Sequence, residues 1–354
     1  MPEKVLMKGN EALAEAAIQA GCRLFFGYPI TPQTEVAAYM SKRMPKVGGT
    51  YLQAESEVAA INMVLGASAA GARAMTSSSS PGISLKSEGI SYIAGSDLPA
   101  LIINVQRGGP GLGGIQPSQA DYWQATRATG HGDFQILVFA PSTVQEMVDL
   151  VSDAFDLGDK YRMPAMILAD GMLGQMMEPV VLPDHSGKEL PEKPWAASGR
   201  RGRGTHNIIN SLYLTPQELE RLTRERFARY DKIKATEQRA EEYLTEDADV
   251  VVVAYGASSR IARSAVNMAR EKGIRAGLIR PITVWPYPTN AIERAIPTAK
   301  AFLCVEMSMG QMVDDVRLTV NGRKPVHFYG RTGGIIPTPA EVLDQIEKIV
   351  GGAE

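Results

Sequence analysis

A small set of polar residues in the first third of the chain has the types and surroundings to do chemistry. Glu55 and Glu57 stand at the mouth of a run rich in alanine and glycine, residues 58–71. A carboxylate entering so apolar a segment is costly unless it meets a specific partner, such as a ligand nitrogen. Placement in a helix's first turn, where the dipole favours acids, is the competing account. Thr31 lies between prolines in Tyr28-Pro29-Ile30-Thr31-Pro32, directly after the apolar run 22–26. Threonine before proline predicts a helix that starts at Pro32 with Thr31 as its N-cap. The free N–H groups of that helix end would suit a carboxylate or phosphate. A rigid turn with a capping threonine fits the same residues, so both readings stay open. Arg107 closes the apolar stretch 98–106 and precedes the loop Gly108-Gly109-Pro110-Gly111-Leu112-Gly113-Gly114. Its planar, permanently charged fork suits a carboxylate, against the plainer role of a surface ion pair. The glycines match neither the dinucleotide spacing nor the Walker spacing, so a nucleotide phosphate is set aside.

The surrounding pattern says what must hold these residues. Residues 9–21 predict a helix with Asn10 as N-cap and Gly21 as its stop. Residues 58–71, without a polar face, predict a helix buried on nearly all sides. Short apolar runs at 22–26, 73–79, 98–106, 136–140 and 164–169 alternate with helical segments, which predicts an α/β fold with a doubly wound parallel sheet. Ligands gather at the carboxyl ends of such strands, where the Tyr28 loop, the Ser77–Ser80 hydroxyls and Arg107 all fall. From Pro183 the sequence turns proline-rich and polar, with a basic run at 199–204 that reads as a solvated connector. A highly charged helix is expected from Thr215 to about Leu244. A second α/β unit follows, with strands at 250–254, 277–281, 301–306 and 326–329 and a closing helix from Pro339 to Val350. The expected segments are a first domain at 1–183, a linker at 184–246 and a smaller domain at 247–354.

Composition narrows the function classes. The 354 residues are 44% hydrophobic and 21% charged with a net charge of −2, which gives no general argument for nucleic acid or anionic membrane. The two cysteines, Cys22 and Cys304, are far apart in apolar runs, so a disulfide framework and a resident iron–sulfur centre are not expected. Histidines stand singly at 131, 185, 206 and 327, so no metal cluster is expected. The start lacks a signal-peptide pattern and no stretch is long enough to span a bilayer, so a reducing cytoplasm is the expected location.

Taken in order, Tyr28-Pro29-Ile30-Thr31-Pro32, Ser56-Glu57 opening an Ala/Gly-rich helix, Ser78-Ser79-Ser80-Pro81-Gly82-Ile83-Ser84-Leu85 and Val105-Gln106-Arg107-Gly108-Gly109-Pro110 resemble the alpha subunit of 2-oxoacid:ferredoxin oxidoreductases. The resemblance spans nearly the whole chain, with a transketolase-C-terminal-like domain at 247–354. It implies a pyrimidine-binding chain of a thiamine diphosphate enzyme that oxidatively decarboxylates a 2-oxo acid, reduces ferredoxin and yields acyl-CoA. By position Glu57 is the glutamate that binds the cofactor's pyrimidine nitrogen, with Glu55 as second choice. Tyr28, Pro29, Ile30 and Ser80 are implied as further cofactor contacts, and Thr31 and Arg107 as contacts to the substrate carboxylate. No Gly-Asp-Gly followed by Asn at the Mg²⁺-diphosphate spacing is present; Gly132-Asp133 and Asp170-Gly171 do not fit it. The resemblance therefore implies a beta subunit holding Mg²⁺ and diphosphate, a gamma subunit, a ferredoxin-like delta subunit and iron–sulfur clusters in those partners only. The loop at 111–119 looks like that of the branched-chain (2-oxoisovalerate) group, with no second cation for a distal carboxylate. The beta-like half of a lipoamide-linked dehydrogenase and a non-catalytic scaffold subunit are the other readings.

Overall fold

The computed structural model describes residues 4–127, 130–183, 189–200, 202 and 204–352. His185 and, within the basic run, Arg201 and Arg203 lie outside the described residues. A seven-stranded sheet runs in the order Thr283–Trp285, Leu137–Phe139, Pro164–Asp170, Ala100–Gln106, Ala74–Ser78, Leu24–Gly27, Thr50–Gln53. Its neighbours are parallel except the edge strand Thr283–Trp285, which pairs antiparallel with Leu137–Phe139. Ala100–Gln106 and Pro164–Asp170 are buried along their whole length, as central strands of a sheet covered on both faces must be. The parallel strands Leu24–Gly27, Ala74–Ser78 and Ala100–Gln106 therefore deliver the loops that follow them to one edge of the sheet.

A five-stranded sheet forms the second unit, in the order Val326–Gly330, Ala301–Glu306, Val250–Val253, Ala276–Pro281, Ala240–Tyr243. The helices Gly256–Glu271 and Pro339–Val350 pack together on it. Gln119 clasps the two units. Its fully buried amide donates to Tyr255 O at 2.8 Å and accepts from Ser258 Oγ at 2.6 Å and Met307 N at 3.0 Å. Among the described residues no helix is long and apolar enough to cross a membrane.

Several local expectations are corrected. The helix after Thr31 is Thr34–Arg43 and its N-cap position is Gln33, so Thr31 caps nothing. Tertiary bonds explain this, because the Pro32 carbonyl is turned out of the helix to accept from Asn10 Nδ2 at 2.8 Å and Gln175 Nε2 at 3.3 Å. Asn10 for its part is no N-cap. It lies inside the helix Gly9–Gln19, fully buried, and its amide is spent on Pro32 and on Glu35 at 3.0 Å. The charged helix spans Pro216–Thr236 and stops short of Leu244. Residues 240–243 form an edge strand, because Glu241 pairs with Arg280 and Arg263 and Glu242 with Arg294 of the second unit. The helix itself bridges back to the first unit through buried Arg226, which donates to Asp97 at 3.0 Å.

Candidate active site

Ser78-Ser79-Ser80-Pro81-Gly82, where the strand Ala74–Ser78 turns into the helix Pro81–Gly95, is the hub of the site. Proline sits in the first turn of that helix, where its missing N–H costs nothing. Ser80 has φ of 26°, a strained value for an L-residue, and hydrogen bonds hold it there. Its N–H donates to Asn104 Oδ1 at 3.1 Å, its hydroxyl donates to Asp121 Oδ2 at 2.6 Å, and Arg107 N donates to its Oγ at 3.0 Å. The Ser80 hydroxyl is thus committed within the chain. Ser78 Oγ and Ser79 Oγ, both buried, have no hydrogen-bond partner.

Glu57 enters from one side of this hub. It is the first residue of the helix Glu57–Ala69, behind the N-cap Ser56, whose side chain accepts from Ala59 N at 3.1 Å. With the capping serine serving the backbone, the glutamate is left free to turn inward, and it is only 7% exposed. Among the described residues its carboxylate accepts no hydrogen bond. Glycine is required at 82 because a Cβ there would meet Ser78 Oγ and come within 2.9 Å of Glu57 Oε1. Glu55, the second choice, is exposed.

Arg107 enters from the other side. It is 6% exposed and donates from Nη1 to Thr31 O at 2.9 Å and from Nη2 to Leu112 O at 3.0 Å. Its Nε is buried without a partner. A guanidinium held only by carbonyls keeps its charge for another anion. The structure therefore brings Thr31 and Arg107 together, through Thr31's backbone and not its hydroxyl. Nearby Asp121 also accepts from Asn104 Nδ2 at 2.9 Å. Burial pushes its carboxyl above the usual range, against the pull of Ser80, Asn104 and Arg107. In the Tyr28 loop, Tyr28 and Ile30 are half-buried while Pro29 and Thr31 are exposed. Buried Gln33 ties that loop to the strand by accepting from Ser77 Oγ at 2.5 Å and donating to Tyr28 O at 3.3 Å.

Sequence reasoning missed Gln33, Asn104 and Asp121. Asn104 lies near the end of the strand Ala100–Gln106, while Gln33 and Asp121 hold the N-cap positions of the helices Thr34–Arg43 and Tyr122–Thr126, and no spacing announces which polar residues turn inward. Another expectation fails on the far face of the Glu57 helix. Val58 is 45% exposed, and Asn62, Gly66 and Ala70 at the same helical spacing are exposed too. That apolar composition is real, yet no segment among the described residues covers the face.

This geometry defines a class. Two α/β units carry a nearly buried acid and a buried arginine, both set against the Ser78–Gly82 turn at the carboxyl end of a parallel strand. Residues 15–246 match the family "Pyruvate flavodoxin/ferredoxin oxidoreductase, thiamine diP-bdg", and residues 248–342 match "Pyruvate:ferredoxin oxidoreductase core domain II". The chain belongs to the 2-oxoacid:ferredoxin oxidoreductases and is an oxidoreductase subunit with the family's thiamine diphosphate-binding domain. It is 48% identical to "Ketoisovalerate oxidoreductase subunit VorB" of Methanothermobacter thermautotrophicus, over 98% of both chains. To "2-oxoglutarate synthase subunit KorA" of the same organism it is 37% identical, over 99% of this chain and 100% of that one. A solved "2-oxoglutarate:ferredoxin oxidoreductase from Magnetococcus marinus with 2-oxoglutarate, coenzyme A and succinyl-CoA bound" superposes with a TM-score of 0.86 at 27% identity. The match covers 98% of this chain and 65% of that one. A "Split gene transketolase, inactive beta4 tetramer" shares the fold at a TM-score of 0.61 and 15% identity, over 98% of each chain.

Proposed function

We propose that this chain is the alpha subunit of an enzyme that converts a branched-chain 2-oxo acid, with 2-oxoisovalerate as the best candidate, and CoA to acyl-CoA, CO₂ and reduced ferredoxin. The observation that carries the reading is Glu57: a nearly buried carboxylate that accepts no hydrogen bond among the described residues, set against the same Ser78–Gly82 turn that holds Arg107. Thiamine diphosphate, when bound, supplies the carbanion chemistry of decarboxylation. Glu57 Oε would hydrogen-bond the ring nitrogen of its pyrimidine. Gly82 leaves room for that carboxylate. Tyr28, Pro29, Ile30 and Ser80 would be further contacts to the cofactor, and Ser80 also fixes Arg107 through its hydroxyl.

Arg107 orients the substrate carboxylate through its Nε and a donor released from Leu112 O, beside Thr31. The branched-chain assignment draws on the 48% identity to a ketoisovalerate enzyme subunit. It also fits the loop beyond Arg107, where Leu112 is 81% exposed and Ile115 is exposed with it, apolar groups suited to an apolar tail. The bare stripe from Val58 to Ala70 is the docking face for a beta subunit that brings Mg²⁺ and the diphosphate site. A gamma subunit and a ferredoxin-like delta subunit carry the iron–sulfur relay to ferredoxin, in the cytoplasm. Within the chain we assign 1–183 to the pyrimidine domain, 184–246 to the linker and 247–354 to the transketolase-C-terminal-like domain.

The test is to assemble the chain with its partner subunits and assay 2-oxo acids with CoA and a viologen dye. Dye reduction that requires all subunits, with kcat/KM higher for 2-oxoisovalerate than for 2-oxoglutarate, is the expected result. A preference for 2-oxoglutarate would overturn the substrate assignment. Full activity of this chain alone would overturn its role as half a site.

A further inference from the structure

A buried aspartate beside the site departs from the habit of its position. Asp121 holds the N-cap position of the helix Tyr122–Thr126, where an aspartate ordinarily accepts from a first-turn N–H, yet its side chain makes no capping bond. The carboxylate serves the Ser78–Gly82 turn instead. Its Oδ2 accepts from Ser80 Oγ at 2.6 Å and from Asn104 Nδ2 at 2.9 Å. Asn104 Oδ1 in turn accepts from Ser80 N at 3.1 Å, so aspartate and amide grip Ser80 by side chain and backbone together. The N–H of Asp121 donates to Gln106 Oε1 at 3.2 Å, which ties it to the end of the strand that leads into Arg107.

The Ser80 hydroxyl has one hydrogen and two oxygens in reach, Asp121 Oδ2 at 2.6 Å and Arg107 O at 3.2 Å. A charged acceptor at the shorter distance takes that hydrogen. The lone pairs of Oγ are then left for the Arg107 N–H, which donates to it at 3.0 Å. We propose that Asp121 is a positioning residue that acts through Ser80: by holding the Ser80 hydroxyl it fixes the main chain of Arg107, and with it the guanidinium that receives the substrate carboxylate. This inference rests on the reading of Arg107 given above. A binding group serves only when its support holds it to within about 0.5 Å, and a glycine-rich loop follows Arg107, so the Ser80 bond anchors the root of its side chain. Because Asp121 receives Ser80 and Asn104 on a single oxygen, an amide oxygen in the same place does the same work, and a methyl group does not.

The experiment compares Asp121→Ala with Asp121→Asn in the complex assembled with its partner subunits, at saturating thiamine diphosphate. Hydrogen exchange of the Arg107 amide is followed in parallel by NMR of the full chain. Asp121→Ala should raise KM for the 2-oxo acid about tenfold and speed exchange of the Arg107 amide by about as much, while kcat, KM for CoA and thiamine diphosphate affinity hold. Asp121→Asn should restore both quantities to within about twofold of wild type. Adding Asp121→Ala to Arg107→Met should raise KM no further, since the effect passes through Arg107. An unchanged KM, or an increase that adds in full to that of Arg107→Met, overturns the proposal. Should Asp121→Ala fail to fold, Ser80→Gly cuts the same link at a φ of 26° that glycine adopts freely, and it should raise the same KM. No change there sinks the idea. If Arg107→Met itself leaves KM as it was, the substrate-carboxylate reading fails, and the exchange rate of the Arg107 amide in Asp121→Ala still decides the positioning.

Discussion

Two buried glutamates, one in each unit, show how the same residue serves opposite ends. Glu306 closes the strand Ala301–Glu306 in the second unit and is fully buried. It accepts from Met312 N at 3.1 Å, Val313 N at 3.0 Å, Gln311 N at 3.1 Å and Ser308 Oγ at 3.0 Å, at the start of the helix Met312–Val320. Every lone pair has a donor, so the charge is matched to the positive end of a helix and holds the fold. Glu57 is about as deeply placed, but its helix is capped by Ser56 and its carboxylate is left over. A saturated acid is structural; an unsaturated one at a strand-end cluster is available for a ligand.

Exchanging the two by mutation gives the sharpest contrast. Glu57→Gln should lower turnover of the assembled enzyme by roughly 10²–10³-fold, the usual worth of a positioned proton-handling group. Its thermal melting should stay near wild type, because the carboxylate accepts no hydrogen bond that the amide would lose. Arg107→Met comes next, with a loss of about 30- to 100-fold in kcat/KM for the 2-oxo acid, the share of a charge-assisted pair. That loss should appear mainly in KM in steady-state assays. Glu306→Gln should do the reverse of Glu57→Gln, costing about 3 kcal/mol in urea unfolding, since its amide N–H₂ would face backbone donors. Turnover per folded enzyme should change little. A Glu57→Gln protein that unfolds as easily as Glu306→Gln would break the distinction.

A pH dependence confined to the acid range is expected at Asp170, the N-cap of the helix Gly171–Gln175, where burial pushes the carboxyl up from 3.8 to about 6 against backbone hydrogen bonds from Leu173, Met172 and Ala257. Because the folded value is the higher one, the unfolded chain loses this proton first as pH rises. The group's contribution is full below pH 3.8, falls through the window up to about 6, and is absent above it. Asp170→Asn keeps a capping side chain and removes the titration. Relative to wild type it should gain up to about 3 kcal/mol between pH 3.5 and pH 7.5, measured by urea unfolding at both. No gain would mean that the ionised form is satisfied where it stands.

Much of the fold was legible because its signals are local. Runs such as Ala100–Gln106 and Val250–Val253 are too apolar and too short to be anything except buried strands, and the closing helix expected over Pro339–Val350 forms over those residues. The errors came where distant groups compete for one backbone atom. Thr31-Pro32 carries a strong local helix-start signal, yet Asn10 and Gln175 take the Pro32 carbonyl, and the helix begins later. Residues 237–244 continue a helical composition, yet Glu241 and Glu242 find arginines across the second sheet.

The site divides in the same way. Residue type and order, an acid before an alanine-rich helix and an arginine before glycines, are written along the chain, but they left Glu55 beside Glu57 and a surface ion pair beside the anion role of Arg107; the resemblance to a family made the choice. Whether those charges would be paired or left free was not written there, because pairing depends on neighbours far away in sequence. Only the folded chain decided that Thr31 serves through its carbonyl and that Ser80 is spent on Asp121. Hydrophobic periodicity is a property of a segment, whereas the satisfaction of a buried polar atom is a property of everything packed around it.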